Sequence, residues 1–188
     1  MKTLVCFGDS ITADETFLDG TPRITPRLQE MFPHLKVLNA GVPGDNTFDA
    51  LQRIEEDVLS HEPDFVTVFL GTNDAVFFAQ VPLQAYKENL EKIVSAISSE
   101  KVLLISPAPV DEARQHNRTN EVLGQYADVV EEVAKETGSH FFNLYAEMIQ
   151  EQHYKKFVEN DEKDGLHFGP QGYEYLAKLI CKKLKGIL

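Results

Sequence analysis

A serine and a histidine at opposite ends of the chain have neighbours that suit nucleophilic catalysis. Ser10 follows the apolar run 3–7 by three residues, and a serine hydroxyl is a weak nucleophile until a base accepts its proton. His167 lies three residues after Asp164, and on a tight loop this spacing can place the carboxylate beside the imidazole Nδ1 atom. Nε2 is then free to accept the serine proton. We therefore predict that Ser10, Asp164 and His167 form a catalytic triad.

Three other motifs do not fit the segment around the serine. The nucleophile elbow of α/β-hydrolases needs a glycine two residues after the serine, where this chain has Thr12. An aspartyl-phosphatase pattern needs a second aspartate at the position of Ile11. No Gly-Lys-Ser or Gly-Lys-Thr follows a predicted strand, which excludes a phosphate loop. Taken alone, Gly8-Asp9-Ser10 is more typical of a turn with a helix-capping side chain, so the prediction depends on the rest of the chain.

Two further turns carry hydrogen-bond donors after predicted strands. One contains Gly41, and the other contains Asn73 followed by Asp74. A tetrahedral intermediate needs donors aimed at its oxyanion, and a glycine N–H permits close approach while an asparagine amide is a neutral donor. Each turn alone is typical of an ordinary loop. Together with Ser10 and the Asp-His pair they place a nucleophile, two donors and a base at one edge of a sheet.

The elements that must position these residues are short apolar runs alternating with segments of helical period. This alternation predicts a three-layer α/β fold with a parallel sheet of about five strands. One helix is expected to begin at Pro82, one to end near Gly138, and one to begin at Pro170. In such sheets ligands bind beyond the carboxyl ends of the strands. The predicted strands are 3–7, 37–39, 65–70, 102–106 and 140–142.

Composition limits the classes of function. The 188 residues predict a single domain over 1–188, and the net charge of −12 makes nucleic acid a poor partner. No apolar run approaches the roughly 20 residues of a membrane span. Cys6 and Cys181 are far apart and no export signal is present, so a cytoplasmic location without a disulfide is expected. The oligomeric state is left open.

The motifs as a set resemble those of the SGNH hydrolase superfamily, the GDSL-like lipase/acylhydrolases, over nearly the whole chain. The small size is similar to that of its bacterial thioesterase and lysophospholipase branch. The one departure is Ile11, where the family name implies leucine, and many relatives carry isoleucine. The four blocks, in the family's order, are Gly8-Asp9-Ser10, Gly41, Gly71-Thr72-Asn73-Asp74 and Asp164-Gly165-Leu166-His167.

This resemblance implies a flavodoxin-like α/β/α sandwich and a triad of Ser10, Asp164 and His167. It also implies an oxyanion hole from the N–H groups of Ser10 and Gly41 and the side chain of Asn73, with no metal or cofactor. The expected function is hydrolysis of small carboxylic esters or thioesters through an acyl-enzyme. The alternatives are an acyltransferase or carbohydrate acetyl esterase with the same triad, and a ligand-binding module without catalysis.

Substrate choice is the least determined part of the prediction. Val76, Phe77 and Phe78 follow the Asn73 turn, and Val110 follows the fourth strand. These apolar residues can either line a substrate pocket or pack beneath their loops, and the sequence favours neither.

Overall fold

Five parallel strands form the sheet of the computed structural model, which describes residues 1–187. Their order is β2-β1-β3-β4-β5, the flavodoxin-like arrangement. All five predicted strands are confirmed, and β2 is longer than predicted because its pairing with β1 runs from Leu35 to Gly41. The strands are β1 (Lys2–Gly8), β2 (Leu35–Gly41), β3 (Phe65–Phe69), β4 (Val102–Ile105) and β5 (His140–Phe142).

In the described part of the chain, six α-helices cover the two faces of the sheet. Two predicted boundaries are confirmed, since Gly138 follows α4 and Pro170 is the first residue of α6, and the third is one residue off, since Pro82 immediately precedes the first residue of α3. Within residues 1–187, no helix has the length and apolar character needed to cross a membrane. The helices are α1 (Ile24–Met31), α2 (Thr47–Asp57), α3 (Leu83–Ile97), α4 (Asn120–Thr137), α5 (Leu144–Ile149) and α6 (Pro170–Leu184).

Alternating strand residues form two apolar layers. Val5 and Phe7 of β1 pack with α2, α3 and α4, whereas Leu4 and Cys6 pack with α1, α5 and α6. Successive side chains of a strand point to opposite faces, and a parallel strand covered on both faces is therefore apolar throughout. All five residues of β3 are likewise buried. These layers make the α/β/α sandwich that the sequence predicts.

The strand order decides which loops share an edge. β1 lies between β2 and β3, and Gly8 is in register with Gly41 on one side and Phe69 on the other. All strands are parallel, so the chain leaves β1, β2 and β3 at the same edge. The strand order changes direction at β1, because β2 lies on one side of it and β3 to β5 lie on the other. Ligands bind at such switch points in open α/β sheets.

Candidate active site

The structure joins Ser10, His167 and Asp164 in one chain of hydrogen bonds. The Ser10 Oγ atom lies 2.9 Å from Nε2 of His167, and Nδ1 of the same ring lies 2.5 Å from Oδ2 of Asp164. The serine follows β1, whereas the other two residues lie on the loop before α6, and His167 is 157 positions further along the chain than Ser10. The three side chains can therefore pass a proton from the serine hydroxyl to the imidazole while a carboxylate stabilises the resulting cation.

The Asp164 carboxylate is held by its own loop. Its Oδ1 atom accepts hydrogen bonds from the N–H groups of Leu166 at 2.9 Å and His167 at 3.0 Å. Burial favours the neutral acid, but these two N–H groups and the imidazole outweigh it, and the pKa of Asp164 lies below its ordinary value. The group is therefore ionised at neutral pH and orients the imidazole as an acceptor of the serine proton.

A guanidinium and a phenol hold the turn that carries the serine. Arg23 donates from Nη2 to the Ser10 carbonyl at 2.6 Å and from Nε to the Tyr173 hydroxyl at 2.8 Å. Tyr173 in turn donates to the Ile11 carbonyl at 2.8 Å. Two consecutive carbonyls are thus fixed from outside the turn. Sequence reasoning missed both side chains, because neither lies in a recognisable motif.

The loop after β3 is tied to the start of α2. Asn73 donates from Nδ2 to the Asp45 carbonyl at 2.9 Å. The Thr47 hydroxyl and N–H donate to Asp74 Oδ1 at 2.5 and 3.0 Å. An asparagine amide carries two N–H groups, so one remains for another acceptor while the first holds the side chain. Asp74 therefore has a structural role in this loop. Asp9 has a similar role in the turn after β1, where it accepts the Ile11 N–H at 2.9 Å.

The structure places Gly41 differently from the prediction. Its N–H donates to Oδ1 of Asn39 at 2.9 Å and is therefore not free to donate to an oxyanion in this conformation. A Cβ at this position would lie 2.3 Å from the Ala13 nitrogen and 2.7 Å from the Thr12 carbonyl carbon. Glycine is therefore needed here for close packing of β2 against the nucleophile turn.

A second glycine, three residues further on, offers a donor instead. Gly44 lies in a turn closed by the Asp45 N–H and the Val42 carbonyl at 3.3 Å, with φ at +88°. The Asp45 carbonyl is the acceptor of the Asn73 amide, so this turn lies beside Asn73. Within the described part of the chain, neither the Gly44 N–H nor the Ser10 N–H has an assigned acceptor. The Pro-Gly-Asp sequence at 43–45, a turn signal, could have indicated this position.

The four predicted pocket residues separate into two pairs. Val110 is 1% exposed and Val76 is 7% exposed. Because Val110 packs in the core shared with α3 and α4, the prediction that it lines a pocket is not supported. Phe77 and Phe78 are 50% and 78% exposed, unusually high for phenylalanine. Two surface cavities of about 380 and 430 Å³ lie elsewhere, between α3 and α4 and between α4 and α5, and no triad residue lines either one.

Three side chains, the His167 imidazole and two carboxylates beside it, have the composition of a cation site. Glu162, Asp164 and His167 each place one ligand atom within 4.8 Å of the others. However, the Nδ1 atom of His167 is already bonded to Asp164 at 2.5 Å, with Glu162 Oε2 further away at 3.7 Å. A cation there would have to displace the hydrogen bond that orients the ring. These residues therefore suit proton transfer better than metal binding.

Burial of Asp9 predicts a measurable pH dependence of stability. Burial, only partly offset by the Ile11 N–H, raises the pKa of Asp9 to about 7. Between pH 4 and 7 the unfolded chain loses this proton while the folded chain keeps it, so ionisation destabilises the wild type as pH rises. Asp9→Asn cannot ionise. Its free energy of unfolding, relative to wild type, is expected to increase by on the order of 3 kcal/mol from pH 4 to 7 and then stay level.

Urea unfolding of both proteins at several pH values measures this difference. Asp161→Asn, which removes an exposed carboxylate from the loop before α6, serves as the matched control and is expected to give a much smaller change. A difference between Asp9→Asn and wild type that does not vary with pH would contradict the raised pKa.

Comparison with known proteins supports an esterase. The GDSL-like Lipase/Acylhydrolase family model matches residues 6–175. The human isoamyl acetate-hydrolyzing esterase 1 homolog is 32% identical over 98% of this chain and 83% of its own length. An acetylxylan esterase of Geobacillus stearothermophilus is 29% identical over 63% of this chain and 59% of that protein. The crystal structure of a lipase/acylhydrolase from Enterococcus faecalis superposes with a TM-score of 0.89 at 34% identity, covering 99% of this chain and 96% of that one.

The fold and these relatives define the class of protein, a carboxylic ester hydrolase with a parallel α/β sheet. The chain belongs to the GDSL-like lipase/acylhydrolase family. The resemblance carried by its sequence motifs is thereby confirmed.

Proposed function

We propose that this enzyme is a serine esterase that hydrolyses small esters through an acyl-enzyme on Ser10. The observation that carries the proposal is the chain of hydrogen bonds from Ser10 Oγ to His167 Nε2 at 2.9 Å and from His167 Nδ1 to Asp164 Oδ2 at 2.5 Å. A serine, an imidazole and a carboxylate in this sequence are the three groups that nucleophilic acyl transfer requires.

The reaction takes place in two steps. Ser10 Oγ attacks the ester carbonyl while Nε2 of His167 accepts the hydroxyl proton, and a tetrahedral oxyanion forms. Collapse of this intermediate breaks the bond to the alcohol, which leaves with the proton from Nε2. Water then attacks the acyl-enzyme with His167 as base, and the acid is released as the serine recovers its proton. Asp164 stays ionised throughout and stabilises the imidazolium in both steps.

Three neutral donors are proposed to stabilise the oxyanion. They are the Ser10 N–H, the second N–H of the Asn73 amide, and the Gly44 N–H in place of that of Gly41. The support is that the first and third have no assigned acceptor among the described residues, while the Gly41 N–H is held by Asn39. Donors already oriented before the reaction stabilise developing charge without reorganisation at the transition state.

The substrate class is proposed to be esters of short acyl groups. Phe77 and Phe78, on the loop that follows Asn73, are largely exposed and are suited to contact a small apolar group at the surface. Two relatives are named for acetyl esters, an isoamyl acetate-hydrolyzing esterase and an acetylxylan esterase. Small thioesters are included, because a thiolate can leave from the same intermediate. A carbohydrate acetyl ester is the second candidate, favoured by the latter relative.

A chain-length series of p-nitrophenyl esters tests this proposal. The value of kcat/KM is expected to be highest from acetate to butanoate and at least about tenfold lower for decanoate, equivalent to about 1.4 kcal/mol of transition-state binding. A Phe78→Ser variant is expected to lose activity on butanoate more than on acetate. Activity that rises steadily up to decanoate would contradict the short-acyl assignment.

We further propose that one domain over residues 1–188 carries the activity in the cytoplasm without nucleic-acid partners. The support for the single domain is that all proposed catalytic residues lie at one edge of one sheet. The two free cysteines, Cys6 and Cys181, are buried in the same apolar layer, and such thiols are kept reduced in the cytoplasm.

A further inference from the structure

A buried arginine, Arg118, lies against the loop that carries Asn73 and belongs to none of the sequence motifs. Arg118 is 5% exposed and lies two residues before α4, on the long segment after β4. Its Nε donates to the Thr72 carbonyl at 2.9 Å, and its Nη2 donates to Oδ1 of Asn73 at 3.5 Å. Burial lowers the pKa of the Arg118 guanidinium, and the charges of Asp9 and Asp164, on two other loops, only partly offset this effect. Burying a cation costs free energy unless it is paired. The burial of Arg118 therefore calls for an explanation in terms of its contacts.

These contacts hold the Asn73 amide from both ends. Arg118 binds its oxygen, while the Asp45 carbonyl accepts one N–H from its nitrogen at 2.9 Å. Rotating the amide by half a turn would place the NH₂ group against the guanidinium and the oxygen against the Asp45 carbonyl. Both hydrogen bonds would be lost and like groups would face each other. One orientation is therefore selected, and it leaves the second N–H of the amide in a defined direction.

The cation also acts on the strength of the remaining donor. A positive charge at the amide oxygen draws electron density from the nitrogen, and linked hydrogen bonds strengthen one another where water is excluded. The Thr72 carbonyl, held by the same guanidinium, fixes the peptide that immediately precedes Asn73. Position and polarity of the donor thus depend on one side chain.

We propose that Arg118 is a positioning residue that orients and polarises the Asn73 amide as an oxyanion donor. The inference rests on the proposed function, since it assigns Arg118 a role in the same acyl transfer. Arg118 does not touch the reacting atoms, and its effect passes through Asn73. Its contribution should therefore disappear when Asn73 is absent.

A double-mutant cycle on kcat tests this dependence. Arg118→Met is expected to lower kcat by about 10–100-fold, less than loss of the whole donor, with KM within about twofold of wild type. In the Asn73→Ala background, the same substitution is expected to change kcat by less than about twofold. Equal losses of kcat in the two backgrounds would overturn the proposal, because Arg118 would then act independently of Asn73.

Two further variants separate this role from a structural one. Arg114→Met removes an exposed cation from the same segment, paired with Asp111 and Glu159 rather than with Asn73, and is expected to leave kcat unchanged. Arg118→Lys keeps the charge near Asp9 and Asp164 but loses the planar fork. It is expected to fold with wild-type near-UV circular dichroism and to show an intermediate kcat, so the test survives if Arg118→Met does not fold. A wild-type kcat in Arg118→Lys would overturn the requirement for the fork.

Failure of the inference can be told apart from failure of the proposed function. If Ser10→Ala retains activity, the esterase mechanism itself is wrong. If Ser10→Ala is inactive while Arg118→Met and Asn73→Ala act additively on kcat, only the positioning role is wrong. Both measurements use p-nitrophenyl acetate and the whole chain of 188 residues.

Discussion

Ser10→Ala is expected to lower kcat for p-nitrophenyl acetate by on the order of 10⁵-fold, since among residues 1–187 no other hydroxyl is bonded to the His167 imidazole. In the proposed mechanism, the hydroxyl 2.9 Å from His167 Nε2 supplies the atom that becomes acylated. Without it, only water activated by the imidazole and the oxyanion donors remain. Ser10→Ala is also expected not to react with a fluorophosphonate probe that labels wild type at one site, as intact-mass spectrometry would show.

Two comparisons make the serine prediction sharper. Ser95→Ala, at an exposed position of α3, is the matched control and should keep wild-type activity and labelling. His167→Ala should lose nearly as much activity as Ser10→Ala, and combining them should cost little more, because the groups act as a unit. If purified Ser10→Ala retained a tenth of wild-type activity, the nucleophile assignment would be wrong.

Asn73→Ala is expected to lower kcat by about 10²–10³-fold, the usual effect of losing one oxyanion donor. The ground-state ester carries little charge on its carbonyl oxygen, so KM should change much less than kcat. Steady-state kinetics over the same p-nitrophenyl esters measures both constants. The fold should be retained, because the Thr47–Asp74 hydrogen bonds that tie this loop to α2 do not involve the Asn73 side chain.

The asparagine prediction has its own control on a neighbouring loop. Asn117 has an exposed side chain, and its backbone carbonyl accepts the Phe77 N–H. Asn117→Ala removes the side chain and keeps the carbonyl. Its kcat should equal that of wild type. Asn73→Asp should be at least as inactive as Asn73→Ala, since a carboxylate would repel the oxyanion. An unchanged kcat in Asn73→Ala would exclude this side chain from the oxyanion hole.

Local patterns in the sequence determined the architecture and the local half of the site. Short apolar runs indicated all five strands, and for β1, β3 and β4 the reason is that a strand covered on both faces must be apolar. Pro170 and Gly138 marked helix ends through their backbone preferences alone. Asp164 and His167 are three residues apart on one loop, so their hydrogen bond is also a local property of the chain.

Only the tertiary structure decided the contacts between distant segments. The 2.9 Å approach of Ser10 to His167 spans 157 positions and depends on how α6 packs against α1 in the apolar layer that also covers β1. The Gly41 N–H is taken by Asn39, a contact that spacing does not reveal, and Val110 is a core residue. Arg118 carried no motif at all. Its proposed role comes from its burial beside Asn73. Which residues are buried depends on how the whole chain packs, so no short stretch of the sequence indicates it.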